Sequence, residues 1–156
     1  ILAWTRDDRF NHRVVFLEDH DLRLGRLLVQ GVDVWLNNPR RPREASGTSG
    51  QKVAMNGGLN CSIPDGWWPE AADGSNGWTF GESRDYEDDA EQDADDAEAL
   101  MATLEWQVVP TWEDLDPVGV RRTWIRRMKH SMATCIPRFN THRMVADYVR
   151  KAYRGT

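Results

Sequence analysis

The run Val32-Asp33-Val34-Trp35-Leu36-Asn37, continued by Asn38-Pro39-Arg40-Arg41-Pro42-Arg43 and Glu44-Ala45-Ser46-Gly47-Thr48-Ser49-Gly50-Gln51-Lys52, governs the reading of the fold. The first six residues read as a strand. Two prolines then end regular structure, because Pro lacks the amide hydrogen that a helix or ladder uses. A Gly/Ser/Thr turn follows, and Gln51 to Asn56 suits a helix that Gly57-Gly58 terminates. Leu59-Asn60-Cys61-Ser62-Ile63 reads as the next strand. Upstream, Arg13-Val14-Val15-Phe16-Leu17-Glu18 reads as a short buried strand. Asp19 or Asp21 then caps a helix carrying Leu22, Leu24, Leu27, Leu28 and Val29, closed by Gly31. Strand, helix, strand, helix, strand with short links predicts an α/β fold, with a parallel βαβαβ core in residues 1–81.

Beyond this core, Asp65 to Gly81 is rich in Gly and Trp and reads as an irregular but ordered loop. Residues 82–96 form an acidic, low-complexity stretch expected to be a mobile surface loop. Residues 97–156 read as a helical segment. Ala97, Leu100, Met101, Leu104 and Val108 share one helix side, the helical pattern beginning at Asp95. Pro117 suits the first position of another helix, with Trp124, Ile125, Met128, Met132 and Ile136 as its apolar stripe. A last helix is expected from Thr141 to Tyr153, with Met144, Val145, Tyr148 and Val149 on one face.

With 156 residues, 40% hydrophobic and 29% charged, the chain matches one packed domain and not a disordered polypeptide. No apolar run approaches the roughly 18 residues that a spanning helix needs. The chain starts at Ile1 without a signal-peptide layout and reads as a piece of something longer. Cys61 and Cys135 are too few for a disulfide framework, and His12, His20, His130 and His142 lack metal-ligand spacing. A cytoplasmic setting is expected. The net charge of −5 hides two opposed regions. Glu82 to Glu98 holds 10 acidic residues against Arg84, whereas Pro117 to the end holds 10 basic residues against Asp147. The basic stretch reads as a solvated face, with no nucleic-acid motif beside it and no membrane partner implied.

A glycine-containing turn that leads into a helix presents unpaired backbone N–H groups, which suit an anion. Gly47 and Gly50 let the backbone approach a phosphate, Thr48 and Ser49 add hydroxyls, and Lys52 is expected in the helix's first turn. There the positive end of the helix dipole disfavours a protonated amine, which helps Schiff-base chemistry. The P-loop pattern is absent, because no Ser or Thr follows Lys52 at the required spacing. As residue types alone, the turn reads equally as a phosphate cradle or as a plain helix cap.

The stretch from Val14 to Gly81 resembles the α-glucan phosphorylases, most closely their short bacterial and archaeal branch. The words that carry the resemblance are Phe16-Leu17-Glu18-Asp19, the run from Leu28 to Pro42, Glu44 to Lys52, Met55-Asn56-Gly57-Gly58 and Asp65-Gly66-Trp67-Trp68-Pro69-Glu70. Asp96 to Leu100, Trp124 to Lys129 and Pro137 to Val145 look like that branch's C-terminal helices. The likeness covers almost the whole chain but only the last portion of a complete enzyme. It implies a GT-B architecture of two Rossmann-like domains, of which this chain supplies part of the C-terminal one. The implied reaction is retaining phosphorolysis of α-1,4-glucan with orthophosphate, yielding α-glucose 1-phosphate. The implied cofactor is pyridoxal 5′-phosphate, bound to Lys52 as a Schiff base, with its phosphate and not its ring active. Gly47, Thr48 and Ser49 are implied around that phosphate, His20 beside the cofactor, and Glu44, Ser46 and Gly47 at the glucosyl unit.

His20 replaces the family's usual tyrosine and Gln51 its usual methionine. The basic groups for substrate phosphate and the N-terminal domain lie upstream of the resembling segment, so that domain is an implied partner and the isolated chain is expected to be inactive. A homo-oligomer is compatible with the resemblance. Two other readings remain open: a nucleotide-sugar GT-B transferase, and a truncated homologue that acts as a binding module. Trp67-Trp68 is expected to anchor a loop beneath the site, and Asp65 and Glu70 to be solvated loop carboxylates.

Overall fold

The computed structural model describes residues 2–10 and 12–153. Three parallel strands form its sheet: β1 (Val34–Asn37), β2 (Leu59–Ser62) and β3 (Gly77–Thr79), in the order β1-β2-β3. Val34 pairs with Leu59 and Asn60 with Gly77. Parallel neighbours need crossovers, and these are α3 (Thr48–Met55) between β1 and β2 and the short α4 (Trp68–Ala71) between β2 and β3. A short helix α1 (Leu2–Thr5) and α2 (Leu22–Gly31) precede the sheet, and the Asp21 carboxylate caps α2 by accepting the Leu24 amide at 2.7 Å. The α/β class read from the sequence is what forms, but its strands are shifted by one.

The expected strand over Arg13 to Glu18 does not form. Val15, Phe16 and Leu17 are exposed, and no neighbouring strand pairs with the segment. Apolar composition suits a buried parallel strand only where layers cover both faces, and nothing among the described residues covers these. The third strand comes instead from Gly77-Trp78-Thr79, inside the stretch expected to be irregular. Gly77 is required there, because a β-carbon would approach the Asn60 carbonyl oxygen to 2.5 Å and the Trp68 ring to 2.6 Å.

Leu59, Cys61 and Ile63 of the central strand and its end pack with Trp78, Val108 and Trp124 in one buried cluster. A second cluster joins Ala54, Trp67, Trp68, Ala71 and Cys135. The helices that close these clusters follow the sheet: α5 (Asp89–Thr103), a π-helical turn over Leu104–Val108, α6 (Val109–Glu113), α7 (Arg122–Arg138) and α8 (Thr141–Tyr148), which runs into a second π-helical turn over Val149–Tyr153.

Three further expectations are corrected. The acidic stretch is not all loop: α5 starts at Asp89, and the Asp88 carboxylate caps it by accepting the Ala90 amide. Acidic residues favour a helix's first turn, where they meet the positive end of the dipole. Pro117 does not open a helix. It lies in a turn whose Asp116 carboxylate accepts the amides of Val118 and Val120, and α7 begins later at Arg122. On α7 the inward face is Trp124, Met128, Ser131 and Cys135, while Ile125, Met132 and Ile136 are exposed.

Candidate functional site

The segment from Glu44 to Lys52 connects the Arg-Pro stretch after β1 to α3, and its backbone is fixed at several points. The Asp65 carboxylate accepts the Glu44 amide at 2.9 Å and the Gly66 amide at 2.8 Å. The Trp67 amide donates to the Ser46 carbonyl at 2.9 Å, and the Gly50 amide to the Gly47 carbonyl at 3.1 Å. Gly47 adopts φ +78°, the left-handed region that suits glycine, and stands at the helix N-cap without a side-chain cap. Gly50 lets α3 lie on the sheet: a β-carbon there would meet Asn60 Oδ1 at 2.4 Å and Trp67 Nε1 at 3.1 Å. Asn60, buried at the centre of β2, donates its Nδ2 to the Gly50 carbonyl at 3.0 Å. Trp67 and Trp68 are buried beneath the turn, the anchoring role expected of them, and Trp67 meets Phe139 edge-on at 4.9 Å.

The side chains of this turn are left without partners. Among the described residues, the Glu44 carboxylate, the hydroxyls of Ser46, Thr48 and Ser49, and the Lys52 amine make no hydrogen bond or ion pair. The amides of Thr48 and Ser49 head the helix and likewise have no acceptor. A rigid backbone that presents unsatisfied donors, one carboxylate and one amine is suited to bind an anion together with a hydroxylated ligand.

Lys52 lies one turn further into the helix than expected, because α3 starts at Thr48 and not at Gln51. At i, i+4 spacing Thr48 and Lys52 share a face, and the Cα–Cβ bond of Lys52 tilts back toward the helix N-terminus. Both residues are exposed, while Gly50, Val53 and Ala54 form the buried face. The Lys52 carbonyl accepts Asn56 Nδ2 at 2.8 Å. His20 is not brought into the turn. It is exposed beside α2, its ring about 3.3 Å from where a β-carbon on Gly25 would stand. A cleft of about 460 Å³ opens beside the turn, with Ser46, Gly66 and Glu70 on one wall and Asn140, Arg143 and Tyr148 on the other. Gln51 lines it and Lys52 does not.

The chain is 46% identical over 153 residues to a glycogen phosphorylase of Aquifex aeolicus, covering 98% of this chain and 22% of the relative. It is 46% identical over 144 residues to a maltodextrin phosphorylase of Thermococcus litoralis, covering 92% and 17%. A glycogen phosphorylase of Mycobacterium bovis is 46% identical over 153 residues, covering 98% and 18%. The chain belongs to the α-glucan phosphorylase family. It spans about a fifth of the length of the curated relatives it matches. No family model matches it.

Within this phosphorylase segment, Asp65 is the residue that sequence reasoning misassigned. It is buried, not solvated, and it holds the turn's entry by two backbone amides. Its one sequence signal is the Asp65-Gly66 pair, a turn dipeptide. Gly66 is itself required, since a β-carbon would come within 2.6 Å of the Ser46 carbonyl oxygen. Glu70 remains exposed. Among the described residues no group of His, Cys, Asp and Glu is arranged to hold a metal, and no helix is long and apolar enough to cross a membrane. Cys61 and Cys135 are buried free thiols, and burial pushes the Cys61 thiol up to about 11.

Proposed function

We propose that this segment belongs to an enzyme of GT-B architecture that cleaves α-1,4-glucan with orthophosphate, releasing α-glucose 1-phosphate with retention, and that it carries the cofactor-holding turn. The carrying observation is the set of unsatisfied groups on the stapled turn, in a chain 46% identical to glycogen phosphorylases. The donor set fits pyridoxal 5′-phosphate. The Thr48 and Ser49 amides and hydroxyls beside Gly47 would hold its phosphate, and the exposed, unpaired Lys52 amine on the same helix face would hold its aldehyde carbon. When bound, the cofactor supplies a phosphate able to exchange a proton with the substrate phosphate.

The chain's own residues then bind and orient. The Glu44 carboxylate, half-buried between Gly47 and Gly66, accepts hydrogen bonds from sugar hydroxyls, and Ser46 and Gly47 border the same glucosyl unit. His20, exposed beside α2 and outside the turn, takes no part in this reading. The rest of the polypeptide would bring the orthophosphate-binding cations and cover Lys52. Two buried free thiols suit a reducing, cytoplasmic setting.

The full-length protein tests this reading. It should form glucose 1-phosphate from maltodextrin and orthophosphate, and Lys52→Ala should abolish both turnover and cofactor absorbance. Borohydride reduction of the cofactor-loaded protein should mark Lys52. A mark on Lys129 or Lys151, or undiminished turnover by Lys52→Ala, would overturn the assignment.

A further inference from the structure

The residues just before the turn are gripped by the acidic helix. Arg40 donates through Nε and Nη2 to the two carboxylate oxygens of Asp93, at 2.8 and 2.7 Å, and through Nη1 to Asp89 at 2.8 Å. Arg43 Nη2 reaches the other oxygen of Asp89 at 2.6 Å. Arg41 Nη1, buried and without a hydrogen bond among the described residues, stands 3.6 Å from Asp85. The Arg41 carbonyl accepts Gln92 Nε2 at 3.4 Å, and Gln92 is buried. Thus α5 contacts three consecutive non-proline positions that lead directly into Glu44.

Single exposed ion pairs contribute little to stability, but this arrangement is not a set of single pairs. Asp89 and Asp93 lie at i, i+4, where two carboxylates repel one another. One guanidinium between them relieves that repulsion, and its two-pronged contact with Asp93 fixes direction as well as distance. Asp89 in turn serves two arginines. The segment they hold has little else to order it: two prolines, and one backbone hydrogen bond from the Arg43 amide to the Arg40 carbonyl at 2.8 Å.

We propose that Asp89 and Asp93 are positioning residues that, by holding Arg40 and Arg43, fix the approach to the Glu44–Gly47 turn and so the placement of the sugar-facing Glu44 and Ser46. The Asp65 staple takes hold at the very next residue, through the Glu44 amide, so the clamp and the staple secure the turn's entry together. Only the catalytic consequence rests on the proposed function.

Hydrogen exchange on the full-length protein tests the clamp, comparing wild type with Asp89→Asn/Asp93→Asn and with Asp89→Glu/Asp93→Glu. In the Asn pair, the hydrogen-bonded amides of Arg43 and Glu44 should exchange roughly tenfold faster while the interior of α5 stays protected. The Glu pair should restore slow exchange. Raising salt from about 0.05 to about 0.5 M should quicken the same amides in wild type but not in the Asn pair, because screening removes what the substitution has already removed. Phosphorolysis by the Asn pair should lose about tenfold in kcat/KM, recovered in the Glu pair. Unchanged exchange at Arg43 and Glu44, or quickening spread through α5, overturns the clamp. If the Asn pair fails to fold, the wild-type salt series decides, and salt-insensitive exchange overturns it. Absence of phosphorolysis in wild type would sink the functional reading while the exchange data still judged the clamp.

Discussion

The turn from Glu44 to Lys52 and the acidic helix start from Asp85 to Asp96 use polar groups in opposite ways. In the turn the backbone is tied down by Asp65, Trp67 and the Gly47 carbonyl, and the side chains are unengaged. In the acidic stretch the side chains are engaged: Asp85, Asp89, Glu91, Asp93 and Asp95 each face an arginine. A scaffold satisfies its charges internally, whereas a binding site leaves them for a ligand. Charge density therefore points away from the candidate site here, and it is the plainer Gly/Ser turn that keeps its side chains unengaged.

Several substitutions would break or sharpen this contrast. The largest effect is expected from Asp65→Ala, which strands two backbone amides near the core. Chemical denaturation should show a loss of about 2–4 kcal/mol, and phosphorolysis by the full protein should fall with it. Gly50→Ala attacks the turn from below by forcing the Asn60 side chain to move, and should cost about 1–3 kcal/mol in the same assay.

Asp96 stands apart within the acidic stretch as a buried carboxylate whose desolvation raises its pKa. The folded state then favours the neutral acid, so ionisation opposes folding at neutral pH and stability rises as pH falls through the folded value. Asp96→Asn should raise Tm at pH 7, and the gain over wild type should vanish as pH nears about 4. Asp93 behaves oppositely: its hydrogen bond with Arg40 holds the carboxyl below the usual range, so its contribution is kept above about pH 4 and lost only in stronger acid. The smallest stability effect should come from Ser46→Ala. An unengaged hydroxyl should alter unfolding by less than about 0.5 kcal/mol, while KM for glucan should rise. A large destabilisation would mean that Ser46 is scaffold after all.

The turn ahead of α3 was legible because its signal is local: glycines and hydroxyls within nine residues specify a turn leading into a helix, although that helix starts at Thr48 and not at Gln51. The staple was not, since nothing in the neighbourhood of Asp65 shows that its oxygens will meet the amide of Glu44. The acidic stretch was misread for the same reason, as Arg40 and Arg43, the partners of Asp89 and Asp93, lie far back in the chain. Strand β3 escaped because three residues carry no periodicity, and its Gly77 was read as loop when it marks close backbone approach. The run Val14 to Glu18 shows the converse: apolar composition proposes a strand, but pairing makes one.

The floor beneath the lysine-bearing helix is supplied from far downstream. Helix α7 packs along α3, Met128 and Met132 approach Gly57, and Cys135 shares a cluster with Ala54 and Trp67. Anyone transplanting the motif into a foreign scaffold must therefore carry over a bed for it as well. A synthetic peptide of the nine-residue word would keep every functional group and lose the geometry that gives them meaning.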